Sequence, residues 1–291
     1  MEEGKLMYYF TDIHGHIELF HIMRDWCYQQ NPNCTIIYGG DAADRGENGY
    51  QIIKELLKDE HIIYLFGNHE ELFINAADEI IGHYAATDEM YNKLHSVNSE
   101  YEIKQIIDDV MQTQIMVKLH IRNDGYSTLR DWLFDGANEE IIDQLRQLHK
   151  TYSWNNIDFC HAGGNYRSFQ QVYQSEYFNA PISIKDEHEI IWDRNCLPLG
   201  WANDRICVFG HTPTLTLSKS MYGSGDKSYL NSHPAAWQDR MGGKNKRNGW
   251  KIDMDTAAFW TDIGYVLDTD TMNVFKFSKS STQALDFYKI L

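Results

Sequence analysis

Five short segments of this chain end in residue types that bind metal ions or move protons. They are Asp12-Ile13-His14-Gly15, Gly40-Asp41-Ala42-Ala43-Asp44-Arg45-Gly46, Gly67-Asn68-His69-Glu70, His161-Ala162-Gly163-Gly164 and Gly210-His211-Thr212-Pro213. Taken together, Asp12, His14, Asp41, Asn68, His161 and His211 offer carboxylate, imidazole and amide donors without thiolate, a set suited to divalent ions such as Mn, Fe or Zn. Such a set is enough for two ions sharing one carboxylate. Two ions about 3.5–4 Å apart clamp the attacking and leaving oxygens of a phosphoryl displacement and bring a bridging water's pKa toward about 7. Two anionic ligands and a hydroxide leave the pair with a formal excess of about one positive charge, which attracts phosphate.

Short apolar runs carry these segments. Met7-Tyr8-Tyr9-Phe10, Thr35-Ile36-Ile37-Tyr38, Ile62-Ile63-Tyr64-Leu65-Phe66, Ile157-Asp158-Phe159-Cys160 and Ile206-Cys207-Val208-Phe209 each read as a buried strand that delivers a reactive loop. Between them, apolar residues at three- and four-residue spacing predict amphipathic helices over 16–30 and 49–58. This βαβαβ order implies a parallel sheet with right-handed crossovers, and ligands of such sheets sit beyond the carboxyl ends of the strands. Any one of these histidines alone reads as an ordinary hydrogen-bonded residue; their joint placement at strand ends is what points to a site. His21, His61, His83, His95, His120, His149, His188 and His233 lack that placement and are read as ordinary.

From Glu70 to Thr151 charged helical patterns replace the alternation (71–81, 101–119, 139–150), and a helical insert over about 71–151 is expected within a single domain of 291 residues. The Gly-, Ser-, Asn- and Lys-rich stretch 218–249 reads as a long surface loop, whose Tyr222, Tyr229 and Trp237 are candidates to stack on a base. A closing hairpin is expected from 264–268 and 274–277. A net charge of -16 argues against a nucleic-acid polymer or an anionic membrane as partner. Five cysteines without a C-x-x-C pair, an acidic N-terminal stretch and the lack of an apolar run of about 20 residues lead to the expectation of a cytoplasmic protein.

In their order, D-I-H-G, G-D-A-A-D-R-G, G-N-H-E, H-A-G-G and G-H-T-P resemble the calcineurin-like metallophosphoesterases. The resemblance is to their phosphoprotein (serine/threonine) phosphatase branch of bacterial type, and it runs from Asp12 to about Thr256. It implies an α/β fold with a β-sandwich core flanked by helices and carrying a helical insert. Asp12, His14 and His211 would hold one divalent ion, Asn68 and His161 a second, and Asp41 would bridge them, manganese being the first choice and iron or zinc alternatives. His69 matches the general acid, Asp44 the carboxylate that orients it, and Arg45 and Arg194 two phosphate-binding arginines. The implied activity is phosphomonoester hydrolysis, foremost on phosphoserine or phosphothreonine proteins, by direct attack of hydroxide held by the two ions. Symmetrical hydrolysis of dinucleoside polyphosphates, or of another small phosphoester, is the alternative. A binding module that keeps metals without catalysis has no need of His69 and Asp44. Departures from the pattern are Thr11 where Gly or Ser is usual, Ala162 and Ala257 in place of glycine, and the lack of an S-A-P-N-Y segment, which weighs against protein substrates.

Overall fold

The computed structural model describes residues 6–217, 233–238 and 248–291. Its strands are β1 (Met7–Phe10), β2 (Thr35–Tyr38), β3 (Ile62–Tyr64), β4 (Thr151–Trp154), β5 (Ile157–Cys160), β6 (Ile206–Phe209), β7 (Ala235–Trp237), β8 (Trp250–Asp253), β9 (Ile263–Asp268), β10 (Asn273–Ser278) and β11 (Ser281–Lys289). The helices α1 (Ile17–Gln30) and α2 (Gly49–Lys58) cross between the first three strands. A run of helices then follows: α3 (Asn68–Tyr84), α4 (Asp88–Leu94), α5 (Glu100–Val110), α6 (Ile115–Arg122), α7 (Tyr126–Phe134) and α8 (Glu139–Arg146). Beyond these come α9 (Tyr166–Phe178), α10 (Ile184–Ile191) and the single turn α11 (Ala258–Thr261).

Side chains on β1 alternate between two apolar environments, so this strand has to be covered on both faces. Tyr8 and Phe10 pack with Leu19, Phe20 and Met23 of α1, whereas Met7 and Tyr9 pack with Phe159, Val208 and Ile252 of β5, β6 and β8. The rings of Tyr9 and Phe159 stack with centroids 5.6 Å apart. Burying each such side chain contributes about 1.5–3 kcal/mol. Two sheets face each other across this core, one ordered β11-β10-β9-β1-β2-β3 and the other β4-β5-β6-β8-β7. The outer face of the second sheet is closed by Phe169, Ile190, Trp201 and Trp237. The result is the expected α/β class with a sandwich core flanked by helices.

The sheets are mixed rather than parallel throughout. β1, β2 and β3 pair in parallel, as do β5, β6 and β8, and the carboxyl ends of the parallel strands present the reactive loops. β9, β10 and β11 form an antiparallel meander against β1, one strand more than the expected hairpin. The expected helix over 101–119 is two helices, separated by turns after Val110. Within the expected 218–249 loop, residues 218–232 and 239–247, including Tyr222 and Tyr229, lie outside the described residues. Ala235–Trp237 is a strand paired with β8. Trp237 is buried and its indole N–H donates to Leu197 O at 2.8 Å, so it offers no face to a base. Among the described residues no helix is long and apolar enough to cross a membrane.

Candidate active site

The ten candidate residues lie beyond the carboxyl ends of β1, β2, β3, β5 and β6, on loops or, for Asn68 and His69, in the first turn of α3, with Arg194 on the segment between α10 and β6. Six of them, Asp12, His14, Asp41, Asp44, Arg45 and His211, have positive φ values between 46° and 70°. L-residues carry a penalty of roughly 1–2 kcal/mol in this left-handed region, and such strain clusters where side chains must be aimed at a common point. Glycine is required where these loops touch: a Cβ on Gly210 would overlap Asp12 Oδ2, and one on Gly15 (φ +73°) would collide with the backbone of Gly46. Thr11 makes use of its hydroxyl, donating to Asp12 Oδ2 at 2.6 Å. Ala257 sits at φ 56°, a conformation that glycine adopts at less cost.

The histidines are locked by their outer nitrogens. His14 Nδ1 lies 2.8 Å from Ala43 O, His161 Nδ1 2.8 Å from Gly39 O and His211 Nε2 3.0 Å from Trp192 O. A carbonyl oxygen only accepts, so each of these nitrogens carries its ring proton and the opposite nitrogen of the neutral ring is a lone pair. The lone-pair nitrogens converge. His14 Nε2 is 3.6 Å from Asp41 Oδ2, and His161 Nε2 is 3.2 Å from Asp41 Oδ1 and 2.9 Å from Asn68 Oδ1. His211 Nδ1 is 2.7 Å from the same Asn68 oxygen. Lone pairs set against carboxylate and amide oxygens repel unless a cation stands among them, and rings pinned from behind by carbonyls are how proteins prepare metal ligands.

Charge in the protein alone is short of balance in the same place. Burial, then the Asp255 carboxylate, push Asp12 well above the usual carboxylate range, and burial brings Asp255 up to about 6. Asp253 Oδ2 and Asp255 Oδ2 are buried without a hydrogen-bond partner. In the protein alone a second proton on His161 serves as that cation: burial opposes the charge, but the Asp41 carboxylate overrides it and raises this imidazole to about 10, so its Nε2 offers a lone pair only when a metal cation displaces that proton. The donor set and the surplus of buried carboxylates fit divalent cations. Two groups of donors lie within 4.8 Å of one another, His14/Asp41/His69 and Asp41/His161/His211, with Asp41 common to both. His211 thus falls beside His161 and Asn68 rather than with Asp12 and His14, as the resemblance had it. The Asp12 carboxylate receives instead the backbone N–H of His211 at 3.1 Å.

Next to this cluster, His69 Nδ1 meets Asp44 Oδ2 at 2.7 Å. Asp44 also accepts from His120 Nε2 at 2.7 Å and from the Thr128 hydroxyl at 2.8 Å. Burial opposes its charge, yet the two imidazoles hold its carboxyl well below the usual range. Asp44 therefore stays ionised, and it and Asp41 raise the pKa of His69 against the effect of burial. His120, read from sequence as ordinary, is fully buried and belongs to this site, as does Thr128. Both come from the helical insert, and only a fold places them here.

Glu70 was also legible in G-N-H-E but without a role. Its carboxylate accepts from the N–H groups of Gly67, Asp41, Ala42 and Ala43 at 3.0, 2.8, 2.8 and 3.3 Å, tying the start of α3 to the loop that carries Asp41. Glu70→Gln would set an amide NH₂ against two of these donors. It is expected to lower unfolding stability by about 2–6 kcal/mol, at about 1–3 kcal/mol for each buried donor left unsatisfied. Urea unfolding monitored by circular dichroism measures this, and an unchanged midpoint would refute the clamp. Lys251 works in a similar way: buried beneath the second sheet, its ammonium donates to Gly164 O at 2.7 Å and Cys196 O at 2.8 Å, joining the loop after His161 to the one that carries Arg194.

The arginines flank the cluster. Arg45 Nη1 reaches His14 Nε2 at 2.8 Å and Nη2 reaches His69 Nε2 at 3.1 Å, while its guanidinium lies 4.4 Å from the ring centroid of Phe259. Arg194 donates to Thr212 Oγ1 at 3.2 Å and to His211 O at 3.1 Å.

No family model and no curated protein matches the chain in sequence. Among solved structures it is similar to a candidate diadenosine tetraphosphatase, at 14% identity over 95% of this chain and 90% of that one, with a TM-score of 0.40. It is likewise similar to a cold-active protein-tyrosine phosphatase of a psychrophilic Shewanella species (13% identity, 99% and 80% covered, TM-score 0.46). A third is a metallophosphoesterase from Sphaerobacter thermophilus (10% identity, 94% and 86% covered, TM-score 0.42).

Proposed function

We propose that the chain is a metal-dependent phosphoesterase. The observation that supports this best is the convergence of three imidazole nitrogens on Asp41 and Asn68, directly beside the His69–Asp44 pair. Asp12, His14, Asp41, Asn68, His161 and His211 would hold two divalent ions, manganese by our reading. Bound ions would polarise the phosphoryl oxygens and supply a deprotonated water near neutral pH. Arg45, which in the protein alone spends its donors on His14 and His69, would turn its fork to the phosphate oxygens, and Arg194 would close on them from the other side. That movement frees His69 Nε2 to carry a proton toward the leaving oxygen, with the Asp44 carboxylate stabilising the imidazolium.

Phosphoserine or phosphothreonine proteins and small phosphoesters are the two substrate classes this arrangement accommodates. A recess beside the cluster, rich in arginine and aromatic residues, favours the second. The test is phosphate release from a phosphothreonine peptide and from diadenosine tetraphosphate by manganese-loaded protein and by chelator-treated protein. Release is expected only with metal, with recovery on adding manganese back; release that persists in chelator overturns the reading.

A further inference from the structure

Beside the centre lies a recess of about 380 Å³, within the range of small-molecule pockets. Arg45 and Arg194 join it to the cluster, Arg122 and Asn123 reach it from the end of α6, and Phe259 and Trp260 line it from α11. The Phe259 and Trp260 rings lie 4.3 Å apart between centroids. Arg45 is packed on Phe259, whereas Trp260 is 67% exposed and has a free face. The segment bearing Arg122 is docked on the site by its backbone, with Arg45 N donating to Asp124 O at 3.0 Å. Arg122 has no carboxylate partner among the described residues.

Charge decides what this recess suits. Three arginines and one aspartate, Asp124, line it, in a chain whose overall charge is -16. The transferred phosphoryl group already has Arg45, Arg194 and the proposed ions. Arg122 is surplus to that need and lines the recess beside Arg45 and Arg194. A serine or threonine side chain has neither an anion for Arg122 nor a flat surface for Trp260.

We infer that the recess is a leaving-group subsite for a nucleotide that keeps a phosphate of its own after cleavage, its base lying on Trp260 and its remaining phosphate on Arg122. This rests on the phosphoesterase reading above. In the reaction, a water oxygen bonds to phosphorus and the bond from phosphorus to the leaving oxygen breaks. That oxygen takes the His69 proton, and the water's second proton restores the imidazole. Either a nucleoside bisphosphate or a nucleoside di- or polyphosphate meets this description. A planar base on an aromatic ring and a fork on a phosphate are the two interactions that would select it.

The test uses the full chain loaded with manganese, with Arg122→Ala, Trp260→Ala and Trp260→Phe as variants. Hydrolysis is measured on adenosine 3',5'-bisphosphate, ADP, AMP, phosphoserine and a phosphotyrosine peptide. In parallel, calorimetry measures binding of ADP, the bisphosphate, AMP and inorganic phosphate to chelator-treated and to loaded protein. The bisphosphate or ADP is expected to bind at least about tenfold more tightly than AMP, and which of the two is cleaved faster identifies the source of the second phosphate. Arg122→Ala should remove this preference. Trp260→Ala should lower kcat/KM for the nucleotide, relative to phosphoserine, by about tenfold, with Trp260→Phe restoring most of it. Nucleotides bound no better than inorganic phosphate, an unchanged nucleotide-to-phosphoserine ratio in both alanine variants, or preference for the phosphotyrosine peptide would each overturn the subsite. Hydrolysis of phosphoserine without nucleotide selectivity would sink the subsite and leave the phosphoesterase reading. Nucleotide binding without hydrolysis of any substrate would sink the phosphoesterase reading and, with it, the assignment of the recess to a leaving group.

Discussion

His69→Asn is expected to lower kcat on phosphoserine by at least about a hundredfold, since general acid catalysis typically contributes 10²–10⁴ in rate. The substitution is chosen so that folding survives. An asparagine N–H can take over the bond that His69 Nδ1 makes to Asp44 at 2.7 Å, while nothing replaces the proton at Nε2. The loss should depend on the leaving group. An alkoxide needs a proton as it departs, whereas p-nitrophenolate departs readily without one, so the deficit on p-nitrophenyl phosphate should be at least about tenfold smaller. Steady-state kinetics on the two substrates reads this difference. Near-normal turnover on phosphoserine, or equal losses on both, would remove His69 from the role of acid.

Asp41→Asn is expected to cost both metal and turnover. Its carboxylate lies 3.2 Å from His161 Nε2, 3.6 Å from His14 Nε2 and 4.0 Å from His69 Nε2, and it alone belongs to both groups of converging donors. Asparagine fills the same volume without the charge. Outer partners of metal ligands cost about 10–100-fold in metal affinity when removed, so a shared carboxylate should cost at least about a hundredfold. Elemental analysis after dialysis, together with phosphate release, measures it. Full metal content with retained activity would show that the convergence on Asp41 has another purpose.

Strands β2, β5 and β6 and helix α2 were legible to the residue because each is a short apolar or periodic run with Gly, Asp or Asn next to at least one end. β11 was not, since most of its side chains are exposed and its alternation carries no apolar face. The helix Tyr166–Phe178 mixes aromatic and polar residues without a clean stripe, which hid it as well. Within the site, donors at strand ends could be found from local pattern alone. His120 could not: its partner Asp44 is 76 residues away, and only the packing of α6 on α3 brings the imidazole to that carboxylate. The same holds for Phe259 and Trp260, which sit on a single helical turn that no periodicity announces.

One consequence follows from where the converging donors originate. Asp41 and Asn68 follow strands of the first sheet, His161 and His211 strands of the second, so the centre is a seam between the two halves of the sandwich. Ions bound across it would act as rivets. Through mass action, occupancy at a hundred times the dissociation constant adds about 2.7 kcal/mol to stability. Starvation for metal would then loosen the join between the sheets as well as silence the chemistry, making the abundance of the folded protein a gauge of the metal supply around it.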